Sequence, residues 1–233
     1  MDLTWGNKKR KFSEIDNGKD YQVSKKPKLF NTTNKMIYSI DNEVHFTADI
    51  NNENIENIIR KITKIIHKNK KKYEGGDDTL KITYIVDSPG GSVTAILKFV
   101  DFINMVKQKY TWVKFVSIAT GLVASAGTIM CVVADTRLMT KHAHAMIHEL
   151  SSGSSGKFTQ LVSYGKFLNS LHTTLLGIYL RHTENSKEEL ERLLNSETWF
   201  NAEEYCQQGF VDKVVADTNN PQPINDYDEE NDD

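Results

Sequence analysis

Along "EVHFTADI" the apolar residues alternate: Val44, Phe46, Ala48 and Ile50 fall on one side, the period of a strand with one buried face. In "NIENIIRKITKIIHK" the period changes. Ile55, Ile58, Ile59, Ile62, Ile65 and Ile66 make one stripe, with Arg60, Lys61, Lys64 and Lys68 off it, which predicts an amphipathic helix with a wet basic face. The polar run "KNKKKYEGGDD" reads as a surface loop. "LKITYIVDS" is almost continuously apolar, as a strand covered on both faces would be. "VTAILKFVDFINMVKQ" is a second amphipathic helix, through Ile96, Phe99, Val100 and Ile103. "WVKFVSIA" reads as a strand, "SAGTIMCVVA" as a short apolar helix, and "TRLMTK" and "AHAMIH" as short strands. A long helical pattern covers residues 158–182, where Phe158, Leu161, Phe167, Leu168, Leu171, Leu175 and Leu176 spread over more than one stripe. A helix so broadly apolar should be covered by the core or by a partner. Helices near 186–194 and 202–208 follow, and "GFVDKVV" closes the pattern with a strand. Strands alternating with helices predict an α/β fold of repeated βαβ units.

Charge divides the chain in three. Residues 1–35 carry nine Lys/Arg against four Asp/Glu, and residues 216–233 carry seven acids and no base. The span 36–215 balances twenty against twenty. We therefore expect one domain over 36–215 between a disordered basic arm and a disordered acidic tail. No apolar run approaches the roughly eighteen residues of a membrane helix, and no secretory signal core opens the chain. Cys131 and Cys206 lack metal-ligand spacing and fall in apolar patterns, which reads as reduced core thiols. The expected setting is intracellular and cytoplasmic. The clusters Lys8–Lys11 and Lys25–Lys28 resemble a bipartite nuclear-import signal, the alternative being a solvated arm. No aromatic interleaving accompanies them, which argues against nucleic acid as a partner.

Three features stand at strand ends, where open α/β folds build their sites. "DSPGGS" (Asp87–Ser92) follows a buried strand and precedes a helix; its paired glycines leave backbone N–H groups bare enough to hold an anion or a developing oxyanion. It is equally an ordinary turn. In "TGLVASAGTIM", Ser125 stands at a helix start among small residues that let a carbonyl approach its hydroxyl, although the G-x-S-x-G signature is missing and a lone serine there also reads as a helix cap. "MIHEL" places His148 at the end of an apolar strand, where a histidine is as readily structural. Together they supply a nucleophile, a base and an oxyanion donor.

On these segments the region from Ile37 to Val215 resembles the proteolytic subunit of the Clp protease, ClpP. "DSPGGSVTAILKFVDFI" is similar to that family's oxyanion segment, "GLVASAGTIM" to its nucleophile helix, and "MIHELSSGSSG" to its histidine and glycine-rich substrate strand. The match continues through "HTENSKEELERLLNSETWFNAEEYCQQGFVDKVV". The resemblance implies the ClpP/crotonase fold with a long protruding helix. It implies Ser125 as nucleophile, His148 as base, and the N–H groups of Gly91 and Ala126 as the oxyanion hole. Gly90, Ser92, Val93, Ser151, Gly153 and Gly156 would contact substrate, with Ser151–Gly156 pairing to an extended peptide by β-augmentation. Unfolded polypeptide is the implied substrate, with stacked heptameric homo-oligomeric rings, no metal or organic cofactor, and ATP spent by a separate AAA+ unfoldase.

Two departures bear on the site. Glu197 stands where the family usually has a catalytic Asp, and Ser196 where an Arg commonly precedes it. Residues 1–35 show no match to the family's axial loops. A catalytically impaired scaffold of the same fold is therefore one alternative. An acyl-CoA enzyme of the wider fold is another, although that class needs no serine–histidine pair.

Overall fold

The isoleucine stripe of residues 55–66 becomes the buried face of α1 (Asn52–Tyr73), entered through Asn51, whose side chain accepts the Asn54 N–H. The computed structural model describes residues 36–215; the basic arm and the acidic tail lie outside the described residues. The helix runs past the predicted stripe through Asn69–Tyr73, where a loop was expected. Lysine is a good helix former, and Lys70, Lys71 and Lys72 complement the negative end of the helix dipole.

Before α1 comes a hairpin of β1 (Met36–Ile40) and β2 (Glu43–Thr47), antiparallel across Asp41 at φ 49°. The near-continuous apolar run forms β3 (Leu80–Ser88), parallel to β2. After α2 (Val93–Lys109) the chain enters β4 (Val113–Ala124), parallel to β3 and longer than its apolar run suggested. α3 (Ala126–Val132), β5 (Thr136–Thr140) and β6 (His144–Ile147) follow, then α4 (Phe158–His182), α5 (Lys187–Asn195), β7 (Thr198–Asn201), α6 (Ala202–Gln207) and β8 (Lys213–Val215). The strand order is β1-β2-β3-β4-β5-β8, with β6 and β7 branching from β4. It is an α/β fold with parallel crossovers.

The branch is made inside β4. Val116–Ala119 pair with Thr136–Met139 of β5, whereas Leu122–Ala124 pair with His144–Met146 of β6. Between these stretches the register with β3 shifts, Val86 facing Ala119 but Ser88 facing Val123. Gly121, at φ 55°, makes the bend. A Cβ there would lie 3.1 Å from the Asp87 carboxyl group, which accepts the Leu122 N–H at 3.2 Å.

The core joins sheet residues such as Phe46, Ile82, Tyr84 and Phe115 with Ile58, Ile62, Phe99 and Ile103 of α1 and α2. The long helix is covered only in part. Leu171, Leu175, Leu176, Ile178 and Tyr179 are buried, while Phe158 is 79% exposed and Leu161, Val162 and Phe167 lie open as well. In its first half only Tyr164 and Leu168 are partly covered, packed against the core. Among the described residues no helix is long and apolar enough to cross a membrane.

Candidate active site

Ser125 sits between β4 and α3 with φ 57° and ψ −125°, a conformation that residues other than glycine rarely adopt. Such backbone stores about 1–3 kcal/mol and persists only where its surroundings hold it. The Ser125 N–H donates to Met146 O at 2.7 Å, and its carbonyl accepts the Thr128 N–H at 3.0 Å and the Thr128 hydroxyl at 2.6 Å. The turn is thus a strained strand-to-helix elbow without the G-x-S-x-G signature. Its hydroxyl faces an imidazole: His148 Nε2 lies 3.0 Å from Ser125 Oγ, with both residues buried.

The glycine pair packs directly against the elbow. At Gly90, φ 92°, a Cβ would fall 2.6 Å from Ser125 Cβ and 2.7 Å from Ala124 O. At Gly91 it would run into the Ile50 carbonyl. Ile50 fixes this turn by donating its N–H to Gly90 O and accepting the Ser92 N–H, which leaves the Gly91 N–H outside that pairing. The small residues beside Ser125 serve the same approach, since a Cβ on Gly127 would lie 3.1 Å from Ser88 O. Ala126 opens α3, where the first N–H groups have no intrahelical acceptor. The residue types around Ser125 are those a carbonyl oxygen would need beside it.

β7 follows Glu197. It pairs antiparallel with β6 up to Ile147 opposite Thr198, and continuing that register by one position sets Glu197 opposite His148. Glu197 is exposed, in a turn at φ 48°. Burial pushes the His148 imidazole below its ordinary pKa, while the charges of Glu197 and of Glu149 pull it back up. Asp135, the residue before β5, accepts the Phe115 N–H at 2.7 Å and pairs with Lys107 at 3.2 Å.

The remaining substrate-contact candidates are less alike. Ser92 is half-buried and caps α2 through its hydroxyl, 3.4 Å from the Ala95 N–H. Val93 is turned wholly into the core, which leaves only its backbone to a ligand. Ser151–Gly156, including Gly153, lies beside α4 with Ser152 hydrogen-bonded to Tyr164, and is not assigned to a strand. A segment without a ladder partner has its backbone groups available to an added strand. Cys131 is buried, its thiol pushed up to about 12 by desolvation, whereas Cys206 is only half-buried.

Sequence reasoning passed over three residues here. Glu149 was legible as the charged neighbour of His148. Thr128 and Tyr179, whose hydroxyls lie 2.6 Å apart behind Ser125, gave no signal, being 51 positions apart.

Comparison with known proteins gives a consistent picture. A family model described as Clp protease matches residues 34–218. The chain is similar to proteins named ATP-dependent Clp protease proteolytic subunit 1 from several bacteria. The one from Chlamydia trachomatis serovar D is 30% identical over 142 residues, 59% of this chain and 71% of that protein. The one from Protochlamydia amoebophila is 31% identical over 138 residues, 58% of this chain and 65% of its own length. The one from Chlamydia pneumoniae is 25% identical over 196 residues, covering 77% of this chain and 98% of the relative.

Proposed function

The chain belongs to the Clp protease family, and on that premise we propose that it is a serine endopeptidase acting on unfolded polypeptide. The supporting observation is the 3.0 Å approach of His148 Nε2 to Ser125 Oγ in a strained elbow packed against Gly90. In this reading His148 takes the hydroxyl proton as Ser125 Oγ bonds to the scissile carbonyl carbon. The N–H groups of Gly91 and Ala126 receive the oxyanion. The imidazolium then protonates the departing amine as the C–N bond breaks, and water, deprotonated by the same imidazole, releases the acyl group. Glu197 stabilises the imidazolium across the β6–β7 pair. The depressed pKa of His148 keeps it neutral, and so able to accept a proton, near neutral pH.

The exposed first half of α4 supports assembly into stacked rings, and the names of the relatives support ATP-driven delivery by an AAA+ unfoldase. Labelling with a fluorophosphonate probe and mapping the adduct tests the chemistry. Labelling at Ser125 that disappears in Ser125→Ala and His148→Ala is expected; a Ser125→Ala protein that still labels and cleaves would refute the assignment. The exposure of Glu197 favours one second reading, a member of the fold with impaired catalysis, and an unlabelled native protein would decide for it.

A further inference from the structure

The Ser125 carbonyl is held twice by one residue, through the N–H and the hydroxyl of Thr128. A hydroxyl has one hydrogen. With that hydrogen given to Ser125 O at 2.6 Å, the contact at 2.6 Å between Thr128 Oγ1 and Tyr179 Oη needs the phenol as donor. The chain therefore runs one way, from Tyr179 on α4 through Thr128 on α3 to the peptide of Ser125. Thr128 and Tyr179 are both fully buried, and burial raises the phenol pKa, so Tyr179 keeps the proton it donates. The Tyr205 phenol is also close to the Thr128 hydroxyl, but its buried oxygen has no hydrogen-bond partner among the described residues.

A helical threonine often returns its hydroxyl to a carbonyl one turn back, which by itself only satisfies the hydroxyl. Here the acceptor is the strained peptide of Ser125, and the hydroxyl is in turn fixed from a different helix. We propose that Thr128 is a positioning residue: clamped by Tyr179, it holds the Ser125 peptide so that Oγ stays in line with His148 Nε2. Because the inference rests on Ser125 being the nucleophile, its test must separate the two.

Three variants do so: Thr128→Val, which keeps the shape and removes the hydroxyl, Thr128→Ser, which keeps the hydroxyl, and Tyr179→Phe. For Thr128→Val, kcat on a fluorogenic peptide and the rate of fluorophosphonate labelling should fall about tenfold, as for loss of one buried hydrogen bond at the reacting group, with KM nearly unchanged. Thr128→Ser should recover most of the loss. Tyr179→Phe should lower kcat in the native background but add little to Thr128→Val, because both remove links of one chain. Tyr205→Phe should leave kcat as it is.

An undiminished kcat in Thr128→Val would overturn the proposal. So would equal losses in the Val and Ser variants, or a change confined to KM. Should Thr128→Val not fold, Tyr179→Phe carries the same test, and its unchanged kcat would count against the clamp. Failure of the nucleophile assignment looks different: the probe would then label the native protein at a residue other than Ser125, or not at all.

Discussion

Gly90→Ala places one methyl group where the structure has least room for it. The added carbon would lie 2.6 Å from Ser125 Cβ, 2.7 Å from Ala124 O and 3.0 Å from Ala126 N. Carbon atoms ordinarily pack at about 3.5–4.0 Å, so the elbow must recede by about 1 Å or the glycine turn must open by as much. Adding bulk to a closed site costs about 1–3 kcal/mol. Holding alanine at φ 92° adds about 1–2 kcal/mol, so the expected loss of stability is about 2–5 kcal/mol. The activity should suffer more visibly. A displacement of about 1 Å at a reacting group costs on the order of 10²-fold in rate. The same change also disturbs the turn that carries Gly91. Denaturant titration gives the first quantity, and kcat/KM on a fluorogenic peptide with the rate of probe labelling gives the second. Gly76→Ala is the control: its added carbon meets only Tyr73 O, at 3.9 Å, and stability and rate should both hold. A Gly90→Ala protein with nearly native kcat/KM would refute the close packing of the two turns.

Glu197→Gln should lower kcat about tenfold rather than the roughly 10⁴-fold seen for a buried triad acid, because an exposed carboxylate is screened by water. Removing a charge that raises the His148 pKa should also move the acidic limb of the kcat/KM profile to lower pH; an unmoved limb would exclude Glu197 from the site. His148 and His182 are both pushed below the ordinary histidine value by burial, so the unfolded chain takes up these protons first as the pH falls. Stability present above about pH 6.5 should therefore be lost as the pH drops from there through their lower folded values, and a melting temperature that rises on acidification would contradict this. Phe158→Glu with Phe167→Glu should reduce the particle size in sedimentation velocity, since both side chains are exposed on the first half of α4. An unchanged sedimentation coefficient would assign the assembly contact elsewhere.

How far the chain could be read in advance follows from how local each signal is. The boundaries of β3 and α4 were legible because each rests on its own periodicity, and Ser125, His148 and Gly91 because they stand in contiguous motifs at strand ends. β1 escaped notice: four of its five residues are exposed, so "MIYSI" carries no one-sided pattern. β7, only four residues long, exists through its pairing with β6. The far half of β4 lies past the apolar run that reads as a strand, because Gly121 interrupts the pattern, and pairing with β6 makes it a ladder. The strain at Ser125 and the Thr128–Tyr179 contact depend on residues distant in sequence, which no local pattern encodes.

The forked strand has a consequence for how this molecule could fail. Ser125 follows β4, which is anchored in the main sheet, whereas His148 follows β6, which pairs with β4 over Leu122–Ala124, accepts the Ser125 N–H at Met146 O, and continues into the small β6–β7 limb. The serine and its histidine stand on opposite banks of a short seam. Parting that seam would separate them by local opening, at a free energy below that of melting the core. A chain could then be fully folded by every bulk measure and still be inert, and hydrogen exchange would see it: amides of His144–Ile147 should exchange faster than those of Ile82–Val86 in native buffer. Equal protection of the two strands would mean that the limb and the core open as one body.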